Sequence, residues 1–99
     1  MKAKKTKSDK TWVVYILHCK DNSLYTGITK NIERRLAAHN QGVAAKYTRS
    51  RRPVVLSATS ISLGRTEAMR LEIKIKRLPK DKKIAALNEI TRHNKKIPA

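Results

Sequence analysis

Acidic residues are scarce in this chain: 7 Asp and Glu stand against 24 Lys and Arg, leaving a formal net charge of +17. A surface kept only for solubility would balance its charges and avoid self-repulsion, so the deficit makes a polyanion the expected partner, nucleic acid first. Cysteine is nearly missing. The single Cys19 excludes an internal disulfide and a cysteine-based zinc cluster, and its apolar neighbours mark a buried, inert thiol. His18, His39 and His93 supply no zinc spacing. Long apolar runs are missing too. The longest, Trp12 to Leu17, falls far short of the ~20 residues that span a bilayer. No apolar stretch follows the basic start MKAKKTKSDK as it would in a signal peptide. A cytoplasmic location is therefore expected, with nucleoid association if the host is bacterial, and no membrane partner. There is no internal repeat, and 99 residues allow one domain with a modest core.

What is present falls into a short series of elements. Residues 1–10 carry five lysines without apolar periodicity, which predicts a flexible basic arm. Trp12-Val-Val-Tyr-Ile-Leu is β-branched and aromatic without polar alternation, the pattern of a central strand buried on both faces. Asp21-Asn22-Ser23 is turn chemistry, and Leu24-Tyr-Thr-Gly-Ile-Thr is the returning strand of a hairpin. A two-residue or a three-residue turn fits equally. The choice decides whether Tyr15 and Tyr25 share a face, because a one-residue slip reverses every side chain. Asn31 can cap a helix to about His39, with Gly42 ending it. On that helix Arg34 points to solvent, while Arg35 and His39 flank the apolar stripe of Ile32 and Leu36 and lie close to whatever it packs on.

Residues 44–52 then read as a basic loop, and Lys46, Arg49, Arg51 and Arg52 are its candidate phosphate contacts. Tyr47 in the same loop suits stacking on a base or packing on the sheet. Pro53 opens a third strand, Val54 to about Thr59. A helix from Arg65 or Thr66 through Leu78 is stopped by Pro79, and a last helix from Asp81 to about His93 places Ile84, Leu87 and Ile90 on one face. The domain is thus expected over 11–93, with a tail over 94–99. The order β-β-α-β-α-α gives an α+β fold, an antiparallel sheet with helices packed on it.

One acid is oddly placed. In the helix after Gly64, Ala68, Leu71, Ile75 and Leu78 form one apolar edge, and Met69 and Ile73 a second. Glu72 projects between them, whereas Glu67 lies at the margin near Lys74. A carboxylate there is costly to bury unpaired. It can pair with an arginine such as Arg35, reach out to solvent, or hold a cation; periodicity does not choose among the three.

Set side by side, the motifs run Val14-Tyr15-Ile16, Tyr25-Thr26-Gly27, Arg35, His39 and Glu72. The segments LYTGIT, RRLAAHN and AKYTRSRRPV, with the Ala68/Glu72/Lys76 spacing, follow in matching order. This set resembles the GIY-YIG nuclease superfamily, in particular its small stand-alone single-domain members, over roughly two thirds of the chain. The resemblance implies a three-stranded antiparallel sheet flanked by helices, with the site on one sheet face. It makes Tyr15 and Tyr25 the two motif tyrosines, Arg35 the motif arginine, His39 a histidine one turn later, and Glu72 the metal-binding glutamate. It also puts both tyrosines on one side. Two departures stand out: the first motif keeps only its tyrosine in full, and Ile28 stands where several relatives carry a lysine.

The implied activity is phosphodiester hydrolysis in DNA, with RNA as the second candidate. A single Mg²⁺, or Mn²⁺, on Glu72 would suit one carboxylate oxygen, several waters and the substrate phosphate. Arg35 would clamp a phosphate oxygen through paired N–H donors. A tyrosine general base, Tyr15 ahead of Tyr25, would need nearby cations to lower its pKa. His39 would be an auxiliary donor or proton shuttle. The alternative is a nucleic-acid-binding module of the same fold that cuts poorly or not at all. With no separate DNA-binding domain in view, sequence targeting is expected to be weak or to come from a protein partner.

Overall fold

A computed structural model describes residues 10–96, with side chains described through Ile90. The basic arm, save Lys10, and residues 97–99 of the expected tail lie outside the described residues. Strands β1 (Val13–His18), β2 (Leu24–Thr29) and β3 (Val55–Thr59) form one antiparallel sheet in the order β2-β1-β3. Helix α1 (Ile32–Asn40) and a single turn, α2 (Lys46–Arg49), lie between β2 and β3, while α3 (Arg65–Lys76) and α4 (Lys80–Lys96) follow β3. The fold is α+β with a three-stranded antiparallel sheet, as expected. Two details differ. The basic loop winds into α2, where the Thr48 hydroxyl and the Arg49 N–H both bond the Ala45 carbonyl. The last helix continues past His93 to Lys96, since no breaker precedes Pro98.

β1 is central and buried on both faces; Val14, Ile16 and Leu17 are fully covered and Tyr15 almost so. One face carries Val14 and Ile16, packed with Ala58, with Ala68 and Ile75 from α3, and with Leu87 from α4. Fully covering an aliphatic side chain of this size is worth about 1.5–3 kcal/mol, so these contacts fix α3 against the sheet. The other face carries Tyr15, Leu17 and Cys19, packed with Val54 and with Ile32 and Leu36 from α1. A bulge in β3 between the Ile16–Ala58 and Leu17–Leu56 pairs bends the sheet there.

The hairpin uses the three-residue turn. Asn22 N–H bonds the Cys19 carbonyl, Cys19 N–H bonds the Ser23 carbonyl, and Asn22 takes the left-handed conformation at φ 73°. The register that follows pairs Tyr15 with Gly27 and Leu17 with Tyr25, so both tyrosines share a face. Tyr15 then lies directly across Gly27: a Cβ on Gly27 would come within 2.7 Å of the Tyr15 hydroxyl.

The apolar arc of α3 is narrower than its sequence suggests. Ala68 and Ile75 are buried and Leu71 half-buried, but Met69 and Ile73 are exposed. Only one of the two expected edges meets the core, so Glu72 stands at the border of the packed face. Glu67 caps the same helix, accepting the Gly64 N–H at 2.9 Å.

Gly27→Ala is expected to force the Tyr15 ring aside and to lower stability by about 1–3 kcal/mol, the usual cost of overpacking. Urea denaturation measures it, and a loss near zero would mean that the ring is free to move away.

Candidate active site

Each motif side chain is positioned by an ordinary local device. β1 carries Tyr15 inward, and the Asn31 side chain caps α1 by accepting the Arg34 N–H at 3.0 Å. That cap sets the helical phase that turns His39 towards the sheet and leaves Arg35 exposed at its margin. The far end of α1 is tied to β3: Asn40 donates to the Val54 carbonyl at 2.9 Å and accepts the Val54 N–H at 2.8 Å. His39 is thereby held, 1% exposed, over Tyr15 and Tyr25.

The three rings form a cluster. The Tyr15 hydroxyl lies 2.8 Å from His39 Nε2, and the His39 ring meets Tyr15 and Tyr25 edge-on at 5.8 and 5.0 Å. His39 Nδ1 lies 2.7 Å from Thr48 Oγ1 on α2. Tyr25 stacks with Tyr47 at 5.9 Å, and the Arg51 guanidinium covers the Tyr47 ring at 3.9 Å.

Arg35 and Glu72 approach this cluster through their charges. Burial pushes the Tyr15 hydroxyl well above the ordinary tyrosine range, and Tyr25 adds to that. The Arg35 guanidinium pulls it down, and the Glu72 carboxylate pushes it up again. Of the cations expected to lower this tyrosine, Arg35 does so, and in the protein by itself burial outweighs it. Burial, helped by Arg35, holds His39 below the ordinary histidine value. Tyr15 is therefore a protonated phenol beside a neutral imidazole.

Glu72 is not paired with Arg35. Its partner is Lys76 one turn on, at 3.1 Å, and its side chain is 20% exposed. Half of the Lys76 side chain faces solvent, so this pair is worth about 1 kcal/mol at most. Beside it an open groove of about 250 Å³ is lined by Leu24, Tyr25, Thr26, Tyr47, Lys76 and Lys83.

The basic segment divides. Lys46 and Arg49 are exposed and make no side-chain hydrogen bond or ion pair with the described residues. Arg51 is committed to Asp21 at 2.8 Å and to the Tyr47 carbonyl at 2.8 Å, and Arg52 to the Arg49 and Asn40 carbonyls. Arg49 and Arg52 line a separate open groove of about 500 Å³ with Asn40, Ser50 and Pro53. Thr48 and Asn40 escaped the sequence reading. A threonine among four cations carries no periodic signal, and an asparagine at a helix end is ordinary capping chemistry.

Residues 11–85 match the family described as the GIY-YIG catalytic domain. The chain belongs to the GIY-YIG family. It is 50% identical over 84 residues to a UPF0213 protein of Nitratidesulfovibrio vulgaris, covering 85% of this chain and 76% of that one. It is 51% identical over 76 residues to UPF0213 protein SH2523 of Staphylococcus haemolyticus, covering 77% and 93%. Among solved structures, the solution NMR structure of UPF0213 protein BH0048 from Bacillus halodurans is 44% identical, covers 81% of this chain and 85% of that one, and has a TM-score of 0.49. Within this GIY-YIG domain, no helix of the described residues is long and apolar enough to cross a membrane.

A histidine whose folded pKa is depressed contributes stability above its unfolded value, and that contribution is lost as pH falls. The urea midpoint is expected to drop as pH is lowered from about 7 to about 5, through the ordinary histidine range. His39→Gln should flatten that drop. An unchanged drop in the variant would place the acid sensitivity elsewhere.

Proposed function

We propose that this GIY-YIG protein is a metal-dependent nuclease that hydrolyses phosphodiester bonds in nucleic acid, DNA first. One observation carries the reading: the Tyr15 hydroxyl rests on His39 at 2.8 Å where the charges of both Arg35 and Glu72 reach it. A structural tyrosine needs a hydrogen-bond partner, but not a guanidinium and a carboxylate as well.

Glu72 suits a hard cation. Among the described residues no group of three or more His, Cys, Asp or Glu side chains could hold a metal, so no closed protein cage competes. A single half-buried carboxylate fits Mg²⁺ or Mn²⁺, which keeps several waters and takes substrate phosphate as a ligand. Held by Glu72, such an ion would offset charge on the phosphate oxygens and acidify water. The Lys76 pair is weak enough to yield to it.

The remaining steps fall to this chain's own side chains. Arg35 binds a non-bridging phosphate oxygen through paired N–H donors. Tyr15 orients the attacking water and takes its proton as its own hydroxyl proton passes to His39 Nε2. The water oxygen then bonds to phosphorus while the bond to the leaving oxygen breaks; that oxygen keeps the electron pair and takes a proton from solvent. Tyr25, which meets the same His39 ring edge-on at 5.0 Å, helps to orient the water or the phosphate. Lys46 and Arg49 supply backbone contacts on either side. Arg51 and Arg52 hold the segment and offer their remaining N–H groups. Tyr47 packs with Arg51 and Tyr25, and the 38% of it that stays exposed lines the open groove where a base can reach it.

A second reading, a nucleic-acid-binding module that does not cut, is favoured by the Glu72–Lys76 pair, which already satisfies the carboxylate. Incubation with labelled single-stranded, duplex and branched DNA and RNA separates the two. Cutting is expected with Mg²⁺ or Mn²⁺ and not with chelator. Glu72→Ala is expected to lower it about 100-fold or more while binding persists, and Arg35→Ala to lower it as far with weaker binding. Binding without cutting at enzyme excess, or full activity in Glu72→Ala, would favour the second reading.

A further inference from the structure

Thr48 is 0% exposed, and its hydroxyl faces two groups. One is the Ala45 carbonyl at 3.2 Å, which can only accept; its two lone pairs also serve the Arg49 N–H. The other is His39 Nδ1 at 2.7 Å. A hydroxyl has one hydrogen. Directed at Ala45, it leaves Oγ1 as an acceptor, so His39 Nδ1 must carry the proton. A neutral imidazole has one N–H, and Nε2 is then bare and faces the Tyr15 hydroxyl at 2.8 Å.

We propose that Thr48 is a positioning residue: by accepting from Nδ1–H, it holds His39 in the tautomer whose Nε2 can receive the Tyr15 proton. This rests on the nuclease reading and adds to it a residue outside the motif set. The opposite tautomer would aim an N–H at the phenol and give Tyr15 no place to pass its proton. The contact between Thr48 and His39 is itself fixed from two sides. Arg51 donates to the Tyr47 carbonyl, holding α2, and the Asn40 clamp on Val54 anchors the end of α1 that carries His39.

The nitrogen-15 NMR spectrum of His39 in the full chain, at neutral pH and without nucleic acid, tests the assignment directly. A protonated Nδ1 with a bare Nε2 is expected; the reverse would overturn the proposal whatever the activity. Thr48→Val keeps nearly the same shape and removes the oxygen. It should shift His39 towards the Nε2–H tautomer and lower magnesium-dependent cutting of labelled duplex DNA about tenfold or more, with DNA binding unchanged. Thr48→Ser should restore both readouts. A parental tautomer and parental cutting in Thr48→Val would overturn the role. If that variant fails to fold, the parent and Thr48→Ser spectra decide: both must show the Nδ1–H form, and a Ser variant of the other form overturns the proposal. If no protein cuts any substrate, the nuclease reading fails, while the spectra still decide what Thr48 does to His39.

Discussion

The hydrogen bond between the Tyr15 hydroxyl and His39 Nε2 joins two elements that are distant in sequence, and most of the site depends on it. Tyr15 is on the central strand, where burial would ordinarily make its hydroxyl a liability. Meeting that demand requires a three-residue hairpin turn, because only that register places Gly27 across from Tyr15 and leaves room for the ring. It also requires α1 to begin at Asn31, so that His39 arrives facing the sheet. The Asn40 clamp and the Thr48 contact then fix His39 from behind. Each device is common in itself. Together they leave a protonated phenol and a neutral imidazole in contact in a chain that is otherwise strongly basic.

Charge divides labour around that contact. The general excess of Lys and Arg draws in a polyanion from any direction, whereas Arg35 acts at one place, lowering both Tyr15 and His39 in pKa. Glu72 opposes it on Tyr15. Its position at the edge of the packed face of α3 removes much of the cost of burying a carboxylate while keeping it within electrostatic reach of the phenol. A fully buried Glu72 would need a permanent partner, and a fully exposed one would be screened.

Much of this was legible in the residues. The unbroken apolar run of β1, the Asn31 cap, and the helical spacing that brings His39 to the sheet are local patterns, and the fold follows them. The likeness to the GIY-YIG family joined residues that periodicity treats as unrelated. The turn length was not legible, since Asp21-Asn22-Ser23 suits either register; Asn22 settles it by adopting the left-handed conformation. The role of Thr48 depends on a contact with His39 across nine positions that no local pattern encodes. The arc of α3 was overdrawn for a similar reason: sequence shows which residues are apolar, but not that the sheet and α4 cover one edge and leave Met69 and Ile73 in solvent.

The central claim is that Glu72 and the Tyr15–His39 pair serve one reacting centre. Paramagnetic Mn²⁺ added to the isotope-labelled protein tests it most directly, since an ion on Glu72 broadens the NMR signals of nearby side chains. The account predicts selective broadening of the Tyr15, Tyr25 and His39 ring signals, lost in Glu72→Gln. Broadening centred elsewhere, or the same pattern in that variant, would contradict it.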